Sequence, residues 1–529
     1  MKNVWGWVVA LAASVVLGAD EGASSLRADL EVAEAQQGVP SLKPAATYQM
    51  KDNILLVEIS EYAGYAGLIV ANNGLEPNED SYFFKKHGFK VKLIVSEEDA
   101  WSVVNGGKIG VNATTVDVLP VYGSQLQVVV PVLIGFSRGA DGLVVRSDIK
   151  TINELKGKTV AFSQFNESDF LVRYLAQQAG LGVNLLDSPK SRPDPSKVNV
   201  VACADAFGAG DFFLRDLNDG RTRVHGCMTW APKMGEVVRD SKGKARLLMT
   251  NRNLLLVADV LIVNKGFAAE KPDVVRGLVE GLLDGNSRVR ASIAPHRKMI
   301  AQAFKWKEAD VDDEMSRVHL ANMPENLAFF DGTIDSAGSF SYIYELSVMA
   351  YGPTFIPRPV AYERYMSLDG LKAIQKAGLF ASEVAQIKPV KSADSTPLET
   401  PILARDVRFL YEPNSSRLDM NSKKNLEDLA YLAKMLQVSP GSTLLLRGHV
   451  DNSRIREFEA TGGANLVQRM GMKAVQLSKD RAEGVRDQLV KNNGVDASRI
   501  EVVGCGWREP QGTDMDKNRR VEVQWFTLE

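Results

Sequence analysis

Three prolines, Pro389, Pro397 and Pro401, punctuate a stretch between residues 383 and 401 that is poor in large apolar side chains. It reads Ile387-Lys388-Pro389-Val390-Lys391-Ser392-Ala393-Asp394-Ser395-Thr396-Pro397. Proline fixes φ and donates no N–H, so neither a helix nor a central strand runs through such a segment. Short polar residues between the prolines make it semi-extended, a linker over 381–402. The 529-residue chain must therefore build separate cores on either side of it. At roughly 100–200 residues per folding unit, that gives one large bilobal part and one smaller part. Lys and Arg total 63 against 65 Asp and Glu, a net charge of −2. The part beyond residue 400 is equally balanced, with 20 basic and 18 acidic residues. No basic tail exists to hold a polyanion, so nucleic acid is not an expected partner.

Met1-Lys2-Asn3 precedes an apolar run from Val4 to Leu17, then Gly18-Ala19 and Asp20-Glu21. One positive charge, a short apolar core and small residues form a secretory signal over 1–19. A membrane span needs about 20 apolar residues, and the acidic pair comes too soon. The expected location is the periplasm, in association with the cell wall of a Gram-negative type of envelope. Residues 20–50 read as a linker or a weak helix.

From Ile54 on, short apolar runs alternate with helical periodicity. Ile54–Ile59, Val91–Val95, Val160–Phe162 and Leu254–Val263 suit buried parallel strands. Phe170–Ala179, Pro272–Arg290 and Ala309–Leu320 suit helices. The class is α/β. After the linker, strands are expected at Val407–Leu410, Ser442–Arg447, Ile500–Val503 and Val521–Trp525, and a helix at Ser422–Leu436. A second helix should begin at an N-capping Ser478. The order is βαβαββ, on a sheet with one helical face.

Four motifs in this last block carry a resemblance: Gly448-His449-Val450-Asp451-Asn452, Leu477-Ser478-Lys479-Asp480-Arg481-Ala482, Gly504-Cys505-Gly506 and Asn518-Arg519-Arg520-Val521-Glu522. In this order they resemble the OmpA-like peptidoglycan-binding domain, over 403–529. The chemistry is also readable from the residues. A carboxylate at a strand end faces an ammonium, and a guanidinium in a helix offers a forked donor set to a carboxylate. The resemblance implies that Asp451 and Arg481 grip the diaminopimelate side chain of peptidoglycan, with Asn452 beside them. The plain alternative is a structural Asp–Arg pair. Arg519 and Arg520 read as fold and rim residues. Two departures stand out. Val450 and Ala474 replace the usual Thr and Asn, and the loop from Asn452 to Gln476 is about a dozen residues longer than in the family.

Residues 51–380 carry a second resemblance. Tyr62-Ala63-Gly64-Tyr65-Ala66-Gly67 follows the first strand, and Phe83–Val91 leads into the second. Thr114-Thr115-Val116-Asp117, Ser137-Arg138-Gly139-Ala140-Asp141-Gly142, Leu155–Ala161, Met228–Pro232 and Ala258–Leu261 follow. The set resembles periplasmic solute-binding proteins of the nitrate, taurine and thiamine-precursor class. That implies a bilobal type II periplasmic-binding-protein fold, followed by a smaller α+β OmpA-like domain. The second lobe would span about 145–256, with crossovers near Gly139 and Val257. In such sheets ligands sit beyond the carboxyl ends of strands, beside helix N-termini. The candidate solute-binding residues are Tyr65, Thr114, Thr115, Arg138, Asp141, Asn166, Ser168, Trp230 and Asp259. Bland readings stand beside them: Trp230 as core, Asp259 as a hinge or capping residue, Arg138 as the partner of Asp141. Both signs of ligand charge have support. Arg138 and the helix start after Asn166 favour an anion, whereas Asp117, Asp141 and Asp259 favour an amine.

The expected partners are peptidoglycan, a small solute and an inner-membrane ABC permease. The rival reading keeps the wall anchor and makes the front part a sensor or scaffold that delivers no solute. An enzyme is not expected. Five histidines include no His-Glu-x-x-His spacing, no Ser-His-Asp cue stands out, and no glycine loop cradles phosphate, so no metal or cofactor is expected either. An oxidising compartment permits a bridge between Cys203 and Cys227, with Cys505 left free.

Overall fold

The apolar runs pair into three sheets in a computed structural model, which describes residues 31–96, 101–332, 339–387, 401–412, 415–439 and 441–527. The signal-like stretch 1–19 and most of the proline segment lie outside these residues. The strands are β1 (Ile54–Ile59), β2 (Lys90–Val95), β3 (Val111–Thr115), β4 (Val128–Ser137), β5 (Asp141–Arg146), β6 (Thr159–Ser163), β7 (Val183–Leu186), β8 (Val198–Cys203), β9 (Gly226–Trp230), β10 (Ala245–Thr250), β11 (Ala258–Asn264), β12 (Val318–Leu320), β13 (Leu403–Val407), β14 (Thr443–His449), β15 (Ile500–Gly506) and β16 (Val521–Phe526). The first lobe's sheet runs β12-β4-β11-β3-β1-β2 and the second lobe's runs β10-β5-β9-β6-β8-β7. β1 is parallel to β2 and β3, and β6 to β8 and β9. That pairing accounts for the complete burial of β6 and β8; β11 is buried along its whole length too, although it runs antiparallel to both β3 and β4.

The chain leaves the first sheet after Ser137, enters the second at Asp141, and returns over residues 251–257 to β11. Asn251 stitches the two crossovers. Its Oδ1 accepts from Gly139 N (2.8 Å) and Asp141 N (3.2 Å), and its Nδ2 donates to Asp141 Oδ2 (2.9 Å).

The third sheet, β13-β16-β14-β15, packs one face against the helices Lys423–Val438 and Ile455–Asn493. Gly448 and Gly504 permit the close approach. A Cβ at Gly448 would meet the Ser478 carbonyl oxygen at 1.9 Å, and one at Gly504 the Val475 carbonyl oxygen at 2.3 Å. This domain docks directly on the second lobe. Asn153 Nδ2 donates to Ala404 O (2.9 Å) and Asn153 Oδ1 accepts from Ala404 N (2.8 Å), which occupies the edge of β13. Ile152 N donates to Ile402 O (2.9 Å), Tyr431 hydrogen-bonds Gln178, and Leu255 N in the return crossover donates to Val438 O (2.8 Å).

Several expectations change. The start of the expected linker is packed: Glu383 pairs with Arg290, and Gln386 N and Ile387 N donate to Glu325 Oε1. The supposed loop 453–476 is helical and continuous with the next helix, bending only at Gly462–Gly463. Ser478 therefore lies inside a helix, where its hydroxyl donates to Val475 O and accepts from Gly506 N. The expected helix 309–320 breaks into a turn, the short helix Val311–Met315 and β12. The strand expected at 407–410 ends at Val407, where β13 runs out. Residues 31–50 form no helix but an extended strap. It bonds the second lobe through Ala33 N to Ala202 O and Gln36 with Gln164, then the first lobe through Leu42 N to Gln125 and Lys43 N to Ser102. Cys203 and Cys227 are free thiols. They sit on β8 and β9 with β6 between, and two strand spacings of about 4.8 Å exceed disulfide reach. No helix among the described residues is long and apolar enough to cross a membrane.

Candidate functional site

A cavity opens between the two lobes, beside the crossovers. The carboxyl ends of β1 and β3 and the turn after β1 supply Ser60, Tyr62, Tyr65, Thr114 and Thr115, with Asn112 earlier on β3; Ser96 follows β2, and Trp101 opens the helix Trp101–Asn105. The second lobe adds Asn166 and Glu167 after β6 and Trp230 at the end of β9; Ser137 and Asp141 flank one crossover, and Val257 and Asp259 end the other. Strand register fixes two pairs. Asp141 stands opposite Trp230 and Asp259 opposite Thr115, so each crossover carries one carboxylate to the mouth of the cleft.

The expected residues Tyr65, Thr114, Thr115, Asp141, Asn166, Trp230 and Asp259 all line this cavity; Arg138 and Ser168 do not. Arg138 is buried in the crossover, where Nε donates to Arg252 O (2.6 Å) and Nη2 to Asn253 Oδ1 (3.4 Å). It is not the partner of Asp141, whose Oδ2 accepts from Ser137 and Asn251. Ser168 lies in the first turn of the helix Glu167–Gln178, with its hydroxyl buried and unpartnered. Asn166 caps that helix by accepting from Ser168 N (3.1 Å).

Sequence reasoning missed Tyr62, Trp101 and Glu167. Tyr62 opens the motif that yielded Tyr65, and Glu167 directly follows the capping Asn166. Trp101 carries no motif of its own, yet its Nε1 donates to Thr114 Oγ1 (3.0 Å) in the cavity wall.

Burial governs the electrostatics here. It raises Asp141 to about 6, although hydrogen bonds from Ser137 and Asn251 oppose the shift. Burial, then repulsion from Asp141, pushes Glu167 and Asp259 well above the usual carboxylate range. Asp117, behind the cavity and fully buried, is raised to about 7 by burial. Tyr65 donates to Asp259 Oδ1 (3.0 Å), while Asp259 Oδ2 has no partner.

The C-terminal domain holds a second recess, lined by Arg408–Glu412, Gly448, His449, Arg481, Arg519 and Arg520. The Arg481 guanidinium lies 4.8 Å over the Tyr411 ring, and Tyr411 OH donates to Arg481 O (3.3 Å). Burial lowers Arg481, and its Nε has no partner. Asp451 Oδ2 accepts from Arg519 Nη1 (3.2 Å) and Oδ1 from Ser453. Burial opposes ionisation of Asp451, but the Ser453 bonds and the Arg519 charge hold it below its ordinary value. Arg519 thus bonds Asp451 directly, with its side chain 42% exposed. Arg520 is structural: buried, it donates to Asp406 Oδ1 (2.8 Å). Asn452 follows Asp451, half-buried, and its carbonyl accepts from Ile455 N (3.2 Å). Nearby, His449, Cys505 and Glu509 bring metal-ligating atoms within 4.8 Å of one another. Arg447 donates to both Glu509 oxygens at 2.8 and 2.9 Å, which occupies that carboxylate.

Residues 78–292 match the family described as NMT1/THI5 like, and residues 410–524 match the OmpA family. Outer membrane protein Omp38 of Acinetobacter baumannii is 30% identical over 166 residues, covering 30% of this chain and 42% of that protein. The chain thus spans about two fifths of the length of that curated relative. Among solved structures, the alkanesulfonate-binding protein SsuA from Xanthomonas axonopodis pv. citri, bound to MOPS, is 14% identical with a TM-score of 0.45, over 60% of this chain and 100% of that one. The periplasmic nitrate-binding protein NrtA from Synechocystis PCC 6803 is 12% identical with a TM-score of 0.37, over 50% and 70%. Two α/β lobes around a cleft and a smaller four-stranded domain are thus joined in one polypeptide: an NMT1/THI5-like domain followed by a C-terminal OmpA domain.

Proposed function

We propose that this chain is a solute-binding protein of the periplasm, held noncovalently to peptidoglycan. The front domain captures a small molecule between its lobes and presents it to an inner-membrane ABC permease. The observation that carries the first half is the cavity itself. It opens where the chain crosses twice between sheets, and residues from both lobes line it, so a bound solute draws the lobes together. Binding rather than turnover is the role assigned to it.

The wall-binding half rests on Arg481, which lines the C-terminal recess with Arg519, and on Asp451, which is bonded to Arg519. The diaminopimelate side chain ends in one carbon bearing both an ammonium and a carboxylate. Asp451 meets the ammonium and the free Nε edge of Arg481 the carboxylate. Arg519 holds Asp451 ionised and in place. Arg481→Ala should leave the protein in the supernatant when purified sacculi are sedimented, whereas the wild type pellets. Equal pelleting of the two would end the anchor reading.

A further inference from the structure

We propose that the cleft takes an organic ammonium cation, an inference that rests on the solute-binding reading above. Every charged side chain lining the cavity among the described residues is a carboxylate: Asp141, Glu167 and Asp259. The nearest guanidinium groups are engaged elsewhere. Arg138 bonds the 252–253 backbone and side chain, and Arg173 pairs with Asp169 under the Tyr351 and Phe355 rings. The helix start after Asn166 offers an anion no welcome. Its first residue is Glu167, and the Asn166 side chain already takes the Ser168 N–H. An anion would thus be desolvated with no countercharge in the lining, and would have to keep all three acids protonated beside it.

A cation finds the opposite. Asp259 is 3% exposed, with the Tyr65 and Tyr62 hydroxyls beside it and no cation among its partners, and Thr115 is 5% exposed with its hydroxyl beside Asp117. Both line the cavity, on facing strands in register. Tyr62, Tyr65, Trp101 and Trp230 supply aromatic surface around them. Their rings are braced, Tyr62 against Tyr65 at 5.2 Å, Trp101 against Tyr122 at 5.0 Å and Trp230 against Phe207 at 5.7 Å. Aromatic rings with a carboxylate are the combination that binds ammonium groups after desolvation. The Trp230 indole N–H, without a partner, suits an acceptor oxygen on the same molecule.

The empty cleft cannot hold its carboxylates fully ionised, because burial and mutual repulsion retain protons on them. A bound cation replaces those protons. Asp117 and Asp169 face the same region with like charge, Tyr62 and Tyr65 sit beside Asp259, and Arg138, Arg173 and Arg252 lie outside the lining. Cation affinity should therefore rise between pH 5 and pH 8, with proton release on binding.

Titration calorimetry of the full chain tests this with choline and tetramethylammonium as cations, and with methanesulfonate and nitrate as anions. Saturable cation binding is expected, weakened about tenfold or more by Asp259→Asn and by Trp230→Ala, which remove charge and ring separately. Heats that differ between buffers of different ionisation enthalpy should reveal the released protons. Anion binding without cation binding overturns the ligand class and leaves the solute-binding reading standing. Cation binding untouched by both variants overturns the site assignment. No binding by any probe overturns the ligand class, and a ligand-free result from native mass spectrometry of protein purified from its own periplasm would then overturn the solute-binding reading as well.

Discussion

The two recesses of this chain treat the same functional groups in opposite ways. In the cleft between the lobes, carboxylates are buried without cations, and desolvation lifts them above their ordinary values. In the C-terminal recess, Arg408, Arg481, Arg519 and Arg520 outnumber the acids, and Asp451, outside the lining but bonded to Arg519, is held low by its neighbours. The difference shows what decides the state of a carboxyl group. Burial alone favours the neutral acid, whereas a guanidinium within 3.2 Å and local N–H donors outweigh partial burial. One recess is short of positive charge and the other has it to spare, so the two should select unlike ligands.

The largest test of that contrast is a double dissociation. Arg481→Ala should abolish sacculus binding while leaving solute titration unchanged, and Asp259→Asn should weaken solute binding about tenfold or more while leaving sacculus binding unchanged. Cross-effects in either variant would mean that the recesses act as one. A smaller effect is expected from pH. Asp141 holds its proton in the folded state up to about 6, whereas the unfolded chain loses it near 4. The unfolded state thus binds fewer protons in that window, and stability falls as pH rises through it. Asp141→Asn should flatten this slope, by roughly 1–3 kcal/mol between pH 4 and pH 7. Chemical denaturation of the ligand-free protein measures it, and a slope unchanged in the variant would return Asp141 to an ordinary carboxylate. The smallest effect belongs to the docking contact. Asn153→Ala removes two hydrogen bonds to Ala404 and should cost about 1–2 kcal/mol, read as faster proteolysis between the domains. Unchanged cleavage would mean that the Leu255 and Tyr431 contacts suffice.

Much of this arrangement was legible in the residues. The apolar runs marked β1, β2, β6 and β11; β6, parallel to both neighbours and buried throughout, leaves a continuous signature, and β11 leaves one although it is antiparallel. The motif around Asp451 and Arg481 located the C-terminal recess. What escaped notice has physical causes. Gly462-Gly463 reads as a loop, yet helical residues on both sides carry the chain through a bend. The direction of Arg138 depends on the return crossover more than 100 residues later, which no local pattern encodes. Ser478 resembles a helix cap because serine favours that position, but its hydroxyl is recruited by Gly506 N across the sheet. The acidic character of the cleft was split among Asp141, Glu167 and Asp259, far apart in sequence, and only the fold sums them.

The strap over residues 31–50 limits the amplitude of any lobe motion. Gln36 and Gln37 are fastened to one lobe, Leu42 and Lys43 to the other. The five peptide steps from Gln37 to Leu42 span at most about 17 Å when fully extended. Separation beyond that length must first break bonds at one end. The strap is a leash whose length, not its strength, sets how wide the jaws can gape, and insertions beside Gly38 or Pro40 would lengthen it residue by residue.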